Sequence, residues 1–305
     1  MSGRCGMETN KFRKKVVSDI MTIMHDIPAW LLILPAIILL VLVCWRPIFM
    51  GIQMAFMNNE GTQFVGFANF KTVLTDMLFA KALKNTVLYV LWSLVIGMGL
   101  PVVVAIMLNE TVHFNSLLKA SLYLPQVIPS IAAALLWYFV YMSDETGLFN
   151  QIIGLFGGEP QGWLQNESWT IPLIVISMTW KGFGFTAILY LASLQSINRE
   201  LYEAAMIDGA GIFRRTFRIT LPHMYPMILL FGVNQVKGIF NIMIEPLSMT
   251  GGGPNNASLS LGLQSYRYAF QYFRMSESVA LSILMWIIII IFTIIYIVLD
   301  RKLEE

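Results

Sequence analysis

VALSILMWIIIIIFTIIYIVL, residues 279–299, runs for 21 residues without a charge. A helix of roughly 20 apolar residues crosses a hydrocarbon core of about 30 Å. A helix apolar on every side belongs in lipid rather than at the edge of a soluble core. The stretch at 30–45, WLLILPAIILLVLVCW, reads the same way. Working outward from these two, six runs have the required length: about 29–50, 85–108, 121–142, 170–194, 223–247 and 279–299. The first and last are nearly free of polar groups, whereas the middle four contain Gly, Pro, Asn, Gln and Lys. The first and last are therefore expected to face lipid, and the others to line a more polar interior. The prediction is an all-α, polytopic membrane protein of about six transmembrane helices.

Composition agrees. Hydrophobic residues make up 57% of the 305-residue chain and charged residues 12%, about half the usual charged fraction. The net charge of +2 gives no electrostatic footprint for nucleic acid. Cys5 and Cys44 do not form a disulfide framework. His25, His113 and His223 are scattered without HExxH or CxxC spacing, so no metal site is expected. The polar stretch before Trp30, followed by a long apolar run without a small-residue cleavage site, reads as a retained anchor.

Lys and Arg in the loops set orientation. With the N-terminus inside, 12 of these residues fall on the cytoplasmic side and 5 outside. Both termini are therefore expected to be cytoplasmic. The expected division is a tail, 1–28, and a permeation domain, 29–305, with a cytoplasmic loop at 195–222 between the fourth and fifth spans. The basic, Met-rich tail forms an interfacial helix or stays without structure. The outer loops are about 51–84, 143–169 and 248–278.

The cytoplasmic loop carries LYEAAMIDGAGIFRRTFRITLP, 201–222. Asn198 is placed to cap a helix, with Glu200 and Glu203 in its first turns. Leu201, Ala204 and Ala205 form a small apolar stripe, and Gly209-Ala210-Gly211 permits a sharp turn. A second short helix from Ile212 is expected to end at Leu221-Pro222. The pattern alone fits a connecting loop that obeys the positive-inside rule better than it fits a docking element.

In the fifth run, Asn234, Gly238, Asn241 and Glu245 are spaced 4, 3 and 4, one face of a continuous helix. Such a stripe lines a polar interior or hydrogen-bonds a neighbouring helix. In the fourth run, TWKGFGFTAILY, Gly182 and Gly184 allow close backbone approach. Trp180 and Tyr190 have the character of interface-belt aromatics. GGGP at 251–254 lacks the Lys-Ser/Thr of a phosphate loop; it reads as a flexible turn or as a contact surface on the outer side.

E-A-A, three residues, G, nine residues, I-x-L-P is present intact as Glu203, Ala204, Ala205, Gly209, Ile219, Leu221 and Pro222. With FVGFANF at 64–70, NTVLY at 85–89, LASLQSINRELYEAAMIDGAG at 191–211 and MTGGGPNNAS at 249–258, the chain resembles the permease subunits of binding-protein-dependent ABC importers, in their maltose, multiple-sugar and glycerol-3-phosphate branch. The resemblance implies that the 195–222 loop holds a coupling helix docking in a groove of a cytoplasmic ATPase, with Asp208 beside the motif residues. It implies a substrate pathway at Lys181, Gly182, Phe185, Asn234, Gln235, Asn241 and Glu245, and binding-protein contact at Gly251, Gly252, Gly253 and Pro254. It further implies a second homologous permease, two ATPase subunits holding ATP and Mg, and an extracellular or periplasmic solute-binding protein. No cofactor is expected on this chain, and the setting implied is the bacterial plasma (inner) membrane. The substrate implied is a carbohydrate, or alternatively glycerol-3-phosphate or another polar solute, moved by alternating access. A secondary transporter is the more distant alternative; it would show internal repeats of its spans.

Overall fold

The computed structural model describes residues 30–110 and 115–304, so the expectations for 1–28 lie outside the described residues. The chain divides into two units, 1–54 and 55–305.

The first unit contributes helix α1, Trp30–Ala55, whose most apolar window has no buried residue. Its middle, Leu40–Trp45, is a wider turn in which the Arg46 amide reaches back to the Val41 carbonyl. Pro47 follows directly. A proline has no N–H and crowds the carbonyl four residues back, and one i→i+5 turn relieves both problems without ending the helix.

The second unit is helical apart from its loops and a single bridge between Met57 and Phe64 among the described residues. Helix α2 spans Ala68–Thr75 and α3 spans Met77–Asn109. Asp76 caps α3 by accepting the Leu78 amide at 2.8 Å. A wide turn at Ser93–Met98 precedes Pro101, as in α1. Helices α4 (Asn115–Val127) and α5 (Ser130–Val140) follow. Between them the axis bends by 97°, because Ile128 stands before Pro129 and is pushed out of the helical region. The run expected at 121–142 is thus a broken element rather than a straight span. After α6, Leu148–Leu155, α7 spans Glu167–Gln195 and is capped by Asn166.

Helix α7 is the centre of the unit: half of its apolar window is buried, against 11% for the last helix. One apolar core surrounds its first half, drawing on Tyr89, Tyr141, Ile174 and Leu281. A second surrounds its end, with Ala105, Ala187, Leu191 and Met224. Tyr190 belongs to this second core, fully buried and edge-on to Phe231 at 5.2 Å; the interface-belt expectation for it is corrected. Gly184 meets the backbone of α4, where an added Cβ would lie 1.8 Å from the Leu122 carbonyl oxygen. Gly182, by contrast, faces open space, so close approach explains Gly184 but not Gly182.

Helix α8 spans Arg199–Ile207 and α9 spans Ile212–Phe240. Pro222 does not end a short helix as expected; a wide turn at Thr216–Thr220 absorbs it, and the helix continues. Instead α9 stops at Phe240, and α10, Ile244–Thr250, sets off at 50°. The freed Ile242 carbonyl accepts from the Ser260 hydroxyl, which itself accepts the Leu263 amide at 3.0 Å and caps α11, Leu261–Tyr266. Gly262 lies against the break, where a side chain would not fit: a Cβ there would stand 2.6 Å from the Ile242 oxygen. Helix α12, Met275–Glu304, closes the order.

Gly184→Ala should destabilise the fold by about 1–3 kcal/mol or more, since backbone rather than a flexible side chain blocks the new methyl. Gly182→Ala should be neutral or slightly stabilising. Thermal unfolding of the two variants in detergent or nanodiscs checks the contrast.

Candidate functional site

Three regions carry the residues singled out from the sequence. The first is α8 and its turn. The Asn198 side chain accepts the Glu200 amide at 3.0 Å, as a helix cap does. At the other end Gly209 adopts φ +75°. The Ala210 amide bonds the Ala205 carbonyl at 2.8 Å and the Gly209 amide bonds that of Met206 at 3.0 Å. This pair of bonds is the Schellman ending, which needs a left-handed residue and favours glycine. Both helix ends are thus satisfied locally, and α8 needs no further partner for its backbone. Glu203, Ala204, Asp208 and Gly209 are exposed and Ala205 is half-buried. Leu201, Met206, Ile207, Ile212 and Phe213 expose large apolar side chains around them. One side-chain link joins the hairpin to the long helix, Tyr202 Oη to Thr220 Oγ1 at 2.9 Å. Beyond it Ile219 and Leu221 are half-buried and Pro222 is exposed.

The second region is a cleft of about 380 Å³ at the break between α9 and α10. Gln235, Gly238, Asn241 and Glu245 line it, together with Met178 of α7. The sequence grouped Gly238, Asn241 and Glu245 as one face of a continuous helix. The break at Asn241 removes that continuity, and they meet because the chain turns around the cleft. Lys181 lies one turn beyond Met178 on α7 and is not among the residues lining the cleft. Gln235 also touches α3, its Nε2 lying 3.0 Å from where a Cβ on Gly97 would be. Asn234 and Asn241 donate to the carbonyls four residues back, Leu230 at 3.0 Å and Lys237 at 2.9 Å. Asn234 and Gly182 are not among the residues lining this cleft. Phe185 sits edge-on to Tyr123 at 6.2 Å.

The third region is the glycine-rich loop after α10. Gly251 and Gly252 have φ +58° and +89°, and Asn255 and Asn256 are also left-handed. Against a flexible turn, most of the loop's backbone groups are tied. The Asn85 amide donates to the carbonyls of Asn256 at 2.8 Å and Leu259 at 2.9 Å. Tyr89 Oη donates to the Ser258 carbonyl at 3.1 Å, and Thr86 Oγ1 accepts the Leu261 amide at 3.0 Å. Lys81 donates to the Asn255 carbonyl and Arg267 to that of Gly251. Gly251 is exposed, Gly252 is buried, and Gly253 and Pro254 are half-buried. Near this end Tyr268 donates to the Asp76 carboxylate. Burial, together with that carboxylate, pushes its phenol up to about 12.

The sequence reading missed the role of Asn85, Thr86 and Tyr89. The available signal was a run of polar residues at positions 85, 86 and 89, one face of a helix start, which a lipid-facing helix would not keep. The same end holds Asn69, whose buried amide donates to the carbonyls of Ala55 and Met57, both at 2.8 Å.

Comparison with known proteins adds to this geometry. Residues 97–305 match the family described as "Binding-protein-dependent transport system inner membrane component". The chain is 31% identical to the lactose transport system permease protein of Rhizobium radiobacter, over 91% of this chain and 96% of that protein. It is 32% identical to the arabinooligosaccharides transport system permease protein of Bacillus subtilis, over 76% of this chain and 74% of that one. Its fold is similar to a chain in the crystal structure of a bacterial alginate ABC transporter in complex with an alginate pentasaccharide-bound periplasmic protein. That match has a TM-score of 0.83 and 28% identity, covering 93% of this chain and 98% of the other.

Asn85→Ala should leave the buried Leu259 carbonyl without its donor, while the Asn256 carbonyl keeps the Leu259 amide, and should cost about 1–3 kcal/mol. Limited proteolysis within 251–260 should accelerate in this variant, while Lys71→Ala, on an exposed turn of α2, should cleave like the wild type.

Proposed function

Because this chain belongs to the family of binding-protein-dependent transport system inner membrane components, we propose that it is the permease subunit of an ATP-driven importer of a sugar or oligosaccharide. The single observation that carries the reading is the match over 97–305, which takes in α8, its turn, the cleft and the glycine-rich loop. Relatives named for lactose and arabinooligosaccharide transport support a saccharide as cargo.

In this reading the chain sits in the bacterial inner membrane with both termini cytoplasmic, as the loop charges favour. It pairs with a second, homologous permease. Two cytoplasmic ATPases hold the ATP and Mg, and an external solute-binding protein delivers the sugar. The chain moves cargo and catalyses no reaction itself.

The geometry offers a route from motor to cleft. Helix α8 is a capped unit exposing Glu203, Ala204 and an apolar rim, the form that docks in a groove on a partner. Displacing α8 pulls on Thr220 through Tyr202. Thr220 belongs to α9, which runs on to Phe240 and ends at the cleft. ATP-driven closure of the motor then moves the break at Asn241, and with it Gln235 and Glu245, between inward-open and outward-open arrangements. Gln235, Asn241 and Glu245 supply amide and carboxylate partners for sugar hydroxyls. The outer, braced loop at Gly251–Pro254 is a firm surface against which the binding protein seats.

Reconstituted complex, with its binding protein and a sugar panel, provides the test. Sugar-loaded binding protein should stimulate ATP hydrolysis in the wild type. Glu203→Lys should reduce that stimulation more than tenfold, as expected when a charge is reversed at a docking interface. Normal stimulation in Glu203→Lys would remove α8 from the coupling route.

A further inference from the structure

A second cleft, of about 400 Å³, lies between the end of α5 and the glycine-rich loop. Its size is that of a small-molecule site, about 300–1,000 Å³. Tyr138, Ser143, Asp144 and Gln165 line one side, and Thr250 and Pro254 the other. Tyr138 leaves 40% of its surface open. Gln165 Nε2 already donates to Ser143 Oγ at 3.2 Å. Asp144 Oδ1 accepts from the Thr146 amide at 2.9 Å and from its hydroxyl, which fixes the carboxylate. The Thr146 hydroxyl and amide hold the Asp144 carboxyl below its usual range, so it is ionised at neutral pH.

Two buried asparagines make the walls rigid. Asn150 is 3% exposed. Its amide donates to the carbonyls of Met142, Asp144 and Gln161, and its oxygen accepts from the Gln161 amide and the Trp163 indole. The segments bearing Asp144 and Gln165 are thereby held together. Asn85 holds the opposite wall through the carbonyls of Asn256 and Leu259. Rigid walls, one open aromatic ring, an amide and a carboxylate suit a ligand with an apolar face and a hydroxyl rim.

We infer that this mouth is a saccharide subsite selective for neutral sugars, separate from the cleft at Glu245. This inference rests on the importer reading. The Tyr138 ring stacks on the CH face of one sugar residue, while Gln165 and Asp144 bond its hydroxyls. The Asp144 charge opposes the carboxylates of uronic acids, so an acidic oligosaccharide is disfavoured by repulsion rather than by size.

Titration of the complete permease–ATPase complex in nanodiscs, without binding protein, tests this with lactose, arabinotriose and an alginate pentasaccharide. At least one neutral sugar should bind saturably and the pentasaccharide more weakly. Tyr138→Ala should weaken the neutral sugar about tenfold. Asp144→Asn, which keeps the acceptor for Thr146, should weaken the neutral sugar modestly, because a charged acceptor becomes a neutral one, and should raise the pentasaccharide-to-neutral affinity ratio roughly fivefold. The subsite is overturned by neutral binding that ignores Tyr138→Ala, by no saturable neutral binding, or by a pentasaccharide that binds as tightly as the neutral sugars. In a second titration, of the binding protein onto the same complex, a loss of affinity on Tyr138→Ala with sugar binding unchanged would equally overturn it and make the cleft a protein-docking surface. Glu203→Lys complex should bind the sugars like the wild type. Saturable, Tyr138-dependent binding in a complex whose hydrolysis ignores the binding protein would sustain the subsite and remove the importer reading.

Discussion

A backbone N–H or C=O at membrane depth has no water to turn to, and each one left unpaired costs several kcal/mol. That constraint explains why the second unit is helical and where its helices can stop. Helix α9 ends inside the molecule because Ser260 receives the orphan Ile242 carbonyl and Gly262 makes room for the turning chain. Pro129 breaks its helix, whereas Pro101 and Pro222 do not. Pro101 and Pro222 each follow a turn in which the hydrogen bonds widen by one residue. The break at Asn241 is a place where non-helical backbone is tolerated because protein supplies its partners, and there the chain opens a cleft beside Glu245.

The apolar core and the loop end depend on each other through side chains of one helix start. Asn85, Thr86 and Tyr89 hold the 251–261 segment, while Asp76 caps α3 and receives the Tyr268 hydroxyl. Residues far apart in the chain thus form one braced end, and the two stretches NTVLY and MTGGGPNNAS are two halves of a single contact. The proposed binding-protein surface and the proposed neutral-sugar mouth share that brace, so a change in Asn85 would disturb both without touching either ligand.

Legibility in the sequence followed the range of the interactions. The all-α membrane class was legible in uninterrupted runs such as 279–299, because hydrophobic length is a property of consecutive residues. The cap at Asn198 and the turn at Gly209 were legible too, since both are settled within a few residues of chain. Bends were misjudged. Pro222 was expected to terminate a helix, but whether a proline stops or only widens a helix depends on what lies around it. The break after Phe240 had a local marker in Pro246, which has no N–H for the Ile242 carbonyl four residues back, but the hydroxyl that donates to that carbonyl comes from Ser260, beyond the next helix. Tyr190 resembled a belt aromatic until Phe231 closed over it. Glu245 reached its cleft company by a different path from the one its spacing suggested.

The wide turns carry a consequence for register. An i→i+5 turn takes up roughly one more residue than an α turn, and one residue corresponds to about 100° around the helix axis. In α9 the turn lies at Thr216–Thr220, between the α8 hairpin and the stretch that reaches the cleft. Gln235 and Gly238 therefore face the cleft through an azimuth set by this extra residue. The same sequence wound as uninterrupted α-helix would turn them toward a neighbouring face. Winding and unwinding one such turn is a small, local exchange of hydrogen bonds, and it rotates everything beyond it as a rigid rod.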